Sequence, residues 1–129
     1  MKLFLVEDDI DDQELLEEAL TSLDAEIQLV TFPTGKNAIS FLETVAVEDF
    51  PLAIIIDYNM PGMDGVDVLQ HLQDERFKNI IKIVWSTSDS AAYRNTCLSH
   101  GASFYFVKPP SMTGLHDMLR EMISLIKSK

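Results

Sequence analysis

Four groups of residues in this 129-residue chain have the types needed for chemistry on an anionic group. Three acids stand together at Glu7, Asp8 and Asp9. Asp57 closes an apolar run and opens the segment Tyr-Asn-Met-Pro-Gly-Met-Asp-Gly. The hydroxyl residues Ser86, Thr87 and Ser88 follow Trp85, and Lys108 stands between Val107 and Pro109. Several carboxylates in one pocket repel and cannot all ionise freely. A hard divalent cation relieves that repulsion, and Mg²⁺ favours one or two carboxylates together with phosphate oxygen. A carboxylate nucleophile, a metal site, a hydroxyl and a fixed cation are the equipment for phosphoryl transfer to Asp57. Catalysis of that reaction is mostly positioning and charge neutralisation.

Elements must bring these residues together. Residues 52–56 read Leu-Ala-Ile-Ile-Ile, a short β-branched run bounded by turn formers, which predicts a strand buried on both faces. Residues 3–6, 27–32, 80–85 and 103–107 predict four more strands. Between them the spacing predicts helices. The first covers 11–23, with Leu15, Leu16, Ala19, Leu20 and Leu23 as its apolar positions. The second is capped by Thr34 and turns Ala38, Ile39, Phe41, Leu42 and Val45 inward. The third covers 65–73, and the fourth covers 91–100 and ends at Gly101. The last covers 112–126, with Leu115, Met118, Leu119, Met122, Ile123 and Ile126 inward. Strands alternating with helices imply a parallel sheet covered on both faces. Right-handed crossovers put all strand C-termini at one edge, where ligands of open α/β sheets bind. If the first and third strands are neighbours, the acids at 7–9 and Asp57 converge there. Lys108 precedes a proline, which holds it extended and aims it across that edge.

Composition narrows the function. A net charge of −11 argues against direct nucleic-acid binding and against anionic membrane surfaces. No apolar run reaches the roughly 18 residues needed to span a membrane. The acids at 7–9 interrupt the apolar start at residues 1–6, so it does not read as a signal peptide. One cysteine, Cys97, permits no internal disulfide and fits a reducing cytoplasm. Asp11 and Asp12 read as first-turn acids that favour the helix dipole. Glu14, Glu17 and Glu18 read as a solvated helix face.

Three segments carry a family resemblance: Leu-Val-Glu-Asp-Asp at 5–9, Ile-Ile-Asp-Tyr-Asn-Met-Pro-Gly-Met-Asp-Gly at 55–65, and Gly-Ala-Ser-Phe-Tyr-Phe-Val-Lys-Pro at 101–109. In this order and spacing the chain resembles a CheY-like response-regulator receiver domain along essentially its whole length. The resemblance implies a flavodoxin-like (βα)5 three-layer sandwich with strand order 2-1-3-4-5. It implies one domain over residues 1–129 with no output domain. It implies that Asp57 accepts a phosphoryl group from a histidine kinase or histidine phosphotransfer protein. By the same resemblance, Asp8 and Asp57 ligate Mg²⁺, Glu7 acts through water, and Asn59 contributes its backbone carbonyl. Lys108 contacts the phosphoryl oxygens, Ser86 is the switch hydroxyl, and Tyr105 is the aromatic switch that turns from exposed to buried. Spacing back from Lys108 favours Ser86 and spacing forward from Asp57 favours Thr87. Ser86 is preferred because the loop before the fourth strand tolerates a one-residue change. Asp9 reads as a helix cap in preference to a third metal-site acid. Trp85 reads as packing, and Pro110 departs from the large apolar residue the family often has after the proline.

The expected protein is therefore a signalling receiver, not an enzyme on external substrates. It catalyses its own phosphorylation and dephosphorylation and acts on a downstream target protein, as a monomer or weak homodimer. Two other readings compete. One is a phosphorylation-independent interaction module on the same fold, opposed by the complete set Asp57, Asp8, Lys108 and Ser86. The other is a small Mg²⁺-dependent phosphatase, opposed by the lack of a cap or substrate domain.

Overall fold

A computed structural model describes residues 1–129. Five parallel strands form one sheet: β1 (Lys2–Val6), β2 (Gln28–Phe32), β3 (Ala53–Asp57), β4 (Ile81–Ser86) and β5 (Phe104–Val107). Their order is β2-β1-β3-β4-β5, the flavodoxin-like arrangement. Five helices connect them: α1 (Ile10–Leu23), α2 (Gly35–Thr44), α3 (Gly65–His71), α4 (Ala91–Ser99) and α5 (Met112–Lys127). β3 lies at the centre and every one of its residues is buried, as its unbroken apolar run requires. β2 lies at an edge and alternates between exposed and half-buried positions before its last residue, Phe32, is buried.

Side chains alternate across a strand, so the sheet has two distinct faces. Leu3, Leu5, Ala53, Ile55, Ile83 and Trp85 pack under α1 and α5. Phe4, Val6, Ile54, Ile56, Val84 and Tyr105 pack under α2, α3 and α4. At the C-terminal edge the register pairs Val6 with Ile56, Asp57 with Trp85, and Ser86 with Val107. The strand ends that carry chemistry are therefore adjacent.

Helix starts follow short polar caps. Asp9 accepts from the Asp12 N–H, Thr34 from Asn37, and Ser111 from Gly114. Asp64 and Asp67 cap α3 reciprocally. Gly101, at φ +100°, ends α4 in a conformation that a Cβ disfavours.

Three positions differ from the sequence reading, and a fourth that it passed over is buried. Leu52 is 51% exposed and lies outside β3. Its N–H bonds to the Lys2 carbonyl, which sets the chain before the strand begins. Phe41 is 42% exposed, because one edge of its ring packs on Phe4 and Phe32 at the rim of the core. Leu15 is exposed beside Leu16, which takes the inward position. Lys82 is buried within β4, its ammonium donating to the Phe77 carbonyl at 2.6 Å. No helix is long and apolar enough to cross a membrane.

Candidate phosphoryl-acceptor site

Asp57 is the last residue of β3 and is only 4% exposed. The Tyr58 N–H continues the sheet by donating to Trp85 O at 3.1 Å. The chain then turns sharply, and the Asn59 N–H faces the Asp57 Oδ1 at 3.4 Å. The turn closes through the Gly65 N–H, 3.0 Å from the Tyr58 carbonyl. A Cβ on Gly65 would stand 3.0 Å from the Tyr58 Cα and 3.1 Å from the Asp57 carbonyl. Glycine thus lets α3 start this close to the acceptor, where a side chain would push it back by a few tenths of an ångström.

Glu7 follows β1 and is fully buried. Its N–H donates to Phe32 O, its Oε2 accepts from the Asp9 N–H at 3.2 Å, and its carbonyl accepts from the Gln13 amide at 2.6 Å. Asp8, next to it, is exposed. Ligand oxygens of Glu7, Asp8 and Asp57 all lie within 4.8 Å of one another. Such an oxygen-only cluster suits a hard divalent cation. Asp9 caps α1 and lies outside this cluster.

Lys108 follows β5. Its N–H donates to Ser86 O at 2.7 Å, which extends the ladder by one residue and fixes the side chain's origin. Its Nζ lies 2.9 Å from Glu7 Oε1, 3.0 Å from Asp12 Oδ2 and 3.3 Å from Asp57 Oδ1. It also sits 4.5 Å from the centre of the Trp85 ring, a cation–π distance. Trp85 is buried, and its Nε1 has no hydrogen-bond partner.

These contacts shape the charges. Burial, and the hydrogen bond shared with Asp57, push the Glu7 carboxyl up to about 8. Burial also raises Asp57, while its bond with Glu7 and the Lys108 charge oppose the rise. Both carboxyls are thus pushed toward the protonated form by burial, and the Lys108 charge opposes the push on each. Burial alone would lower the Lys108 pKa, but the bonds to Glu7 and Asp12 outweigh it and keep the ammonium charged.

Ser86 is fully buried at the end of β4, and its Oγ accepts from the Ser88 N–H at 3.1 Å. Thr87 is exposed. Strand alternation puts Ser86 with Val84 and Tyr105 on the α2–α4 face, whereas Glu7, Asp57 and Lys108 continue the α1–α5 face. Tyr105 is 6% exposed, its hydroxyl donating to Ser88 O at 2.7 Å and Arg94 lying over its ring at 5.1 Å. The Tyr105 ring lies inward, held by the Ser88 carbonyl and covered by Arg94.

Sequence reasoning missed one contributor: it places Asp12 at the helix dipole and does not reach its contact with Lys108. Trp85 packs in the sheet as expected, with the Lys108 ammonium over its ring besides. The signal for Asp12 lay in the helical period: 12, 16 and 20 form one stripe, and Leu16 and Leu20 are both buried. Extending that stripe back one turn points Asp12 at the sheet's C-terminal edge.

Comparison with known proteins agrees with this geometry. Residues 3–120 match the response regulator receiver domain. The Arabidopsis thaliana two-component response regulator ARR8 is 28% identical over 92% of this chain and 59% of its own length. The Cyanophora paradoxa probable transcriptional regulator ycf27 is 30% identical over 95% of this chain and 48% of its own. The chain thus spans about half to three-fifths of these relatives. Among solved structures, the Mn²⁺-bound response regulator Rcp1 aligns with TM-score 0.82 and 26% identity over 95% of this chain and 91% of that one. The phosphorylated cyanobacterial phytochrome response regulator RcpA aligns with TM-score 0.83 and 28% identity over 94% and 89%. With its β2-β1-β3-β4-β5 sheet and its acids, acceptor and lysine gathered at one edge, the chain belongs to the response-regulator receiver domain family.

Proposed function

We propose that this receiver accepts a phosphoryl group on Asp57 from a phosphohistidine of a histidine kinase or phosphotransfer protein, with Mg²⁺ at the adjoining acidic cluster. The observation that carries the reading is the Lys108 Nζ, 3.3 Å from Asp57 Oδ1, beside a carboxylate cluster within 4.8 Å. An Asp57 oxygen attacks phosphorus. The new P–O bond forms as the P–N bond breaks, and the imidazole leaves with the electron pair and takes a proton. Lys108 neutralises charge on the transferred group. Asp8 and Asp57 would hold the metal directly, Glu7 through water, and Asn59 through its carbonyl, which accepts no backbone hydrogen bond. The bound cation would supply positive charge for the phosphoryl oxygens.

Ser86 would turn its hydroxyl from the Ser88 N–H toward the phosphoryl group. The buried Tyr105, bonded to Ser88 O, would then be stabilised where it stands, and the population of α4–β5–α5 arrangements would shift. A downstream protein would read that surface, with the receiver a monomer or weak homodimer. The lone, buried Cys97 fits a cytoplasmic setting.

The test is incubation with Mg²⁺ and acetyl phosphate, followed by intact mass. One phosphoryl adduct on the wild type and none on Asp57→Ala is expected. No wild-type adduct would favour a phosphorylation-independent module. Sustained turnover of organic phosphates would favour a phosphatase.

A further inference from the structure

Three carboxyl groups surround the Lys108 ammonium: it donates to Glu7 and Asp12, and Asp57 lies within ion-pair range. Two of these, Glu7 and Asp57, belong to the acidic cluster at the acceptor. The third, Asp12, does not. It comes from α1 and stands 3.0 Å from Nζ, closer than Asp57 at 3.3 Å. We propose that Asp12 is a positioning residue that acts through Lys108 and restrains phosphorylation of Asp57. This rests on the reading of Asp57 as the acceptor.

The backbone that carries Asp12 is held from several directions. Its own N–H donates to the Asp9 cap, the neighbouring Gln13 amide is anchored on the Glu7 carbonyl at 2.6 Å, and Leu16 and Leu20 bury the same helical stripe. The Lys108 ammonium also lies 4.5 Å from the centre of the Trp85 ring. The resting ammonium is therefore parked between Asp12, Glu7 and the indole, with its longest contact to the acceptor.

A phosphoryl group on Asp57 draws the ammonium toward the acceptor and away from its two shortest contacts. Glu7 is fully buried, so water does not replace the lysine there. Asp12 is 34% exposed, so water can replace the lysine there. The Asp12 bond is the one that lengthens, and its pull opposes the shift.

Charge acts in the same direction. Asp12 Oδ2 and Asp57 Oδ1 are 3.0 and 3.3 Å from one nitrogen, so they are no more than about 6 Å apart. At that separation, in partly hydrated surroundings, one unit charge changes the rate of adding an anionic group by roughly three- to tenfold.

The experiment compares wild type, Asp12→Asn and Asp12→Glu. Each is treated with Mg²⁺ and acetyl phosphate, and adduct growth is followed by intact mass at low salt and at about 1 M salt, where the Debye length is about 3 Å. Asp12→Asn should gain adduct roughly three- to tenfold faster at low salt, Asp12→Glu should stay near wild type, and the gain should shrink at high salt. A packing effect would persist at high salt. An unchanged or slower Asp12→Asn on a wild type that does form adduct overturns the inference and leaves the acceptor reading standing. A wild type that forms no adduct overturns both.

Discussion

Replacing Glu7 with glutamine should flatten the pH dependence of folding stability in the metal-free protein. In the unfolded chain Glu7 ionises near its ordinary value of 4.5, and in the folded protein it holds its proton up to about 8. Between those values the folded state binds one more proton than the unfolded state, so stability falls as pH rises. Below the lower value both states are protonated and the full contribution is present. Through the upper value it is lost. One proton corresponds to about 1.4 kcal/mol per pH unit, so roughly 3 kcal/mol should disappear between about pH 5 and about pH 7.5. Glu7 is fully buried, so solvent does not discount this figure. Glutamine keeps the shape without the ionisation; its NH2 faces either the Asp9 N–H or the Lys108 ammonium, a cost that offsets the curve without restoring the slope. Urea unfolding at several pH values, for wild type and Glu7→Gln, isolates the Glu7 site as a difference curve, because groups that do not touch Glu7 cancel. A chain this short is expected to unfold in one step, which licenses the comparison. Saturating Mg²⁺ should flatten the wild-type curve as well. Parallel wild-type and Glu7→Gln curves across this window would refute the raised ionisation of Glu7.

Gly65→Ala should destabilise the fold by about 1–3 kcal/mol, because the new methyl meets backbone at 3.0 and 3.1 Å where nothing flexible can yield. Urea unfolding checks it, and a neutral result would mean that α3 can recede from Asp57. Asp9→Ala should cost about 1 kcal/mol through loss of the α1 cap while leaving Mg²⁺ affinity unchanged by titration. A tenfold loss of Mg²⁺ affinity would instead make Asp9 part of the metal site.

The parts of this protein that follow from local patterning were legible. The unbroken apolar run of β3 predicts central burial on both faces, and every residue there is buried. Asp57 and Lys108 could be placed because a strand end in a parallel sheet has a known address, and Pro109 restricts the residue before it. What escaped depends on distances between elements. Asp12 meets Lys108 across 96 sequence positions, and only the rotation of α1 on the sheet decides that contact. Tyr105 could be marked as an aromatic near the edge, but its inward position depends on the Ser88 carbonyl and on Arg94 from α4. Lys82 interrupts an apolar strand, and its burial is tolerable because a carbonyl from the preceding turn lies within 2.6 Å. Leu52 and Phe41 show that an apolar residue at an element's end need not be inside.

The sheet itself is a partition. Glu7, Asp57, Trp85 and Lys108 lie on its α1–α5 side, and Ser86 and Tyr105 on the other, with the Lys108 N–H to Ser86 O bond of 2.7 Å crossing between strands at the edge. Packing changes under α1 and packing changes under α4 therefore meet the sheet on different sides, and the Lys108–Ser86 backbone bond is where the two sides share an edge.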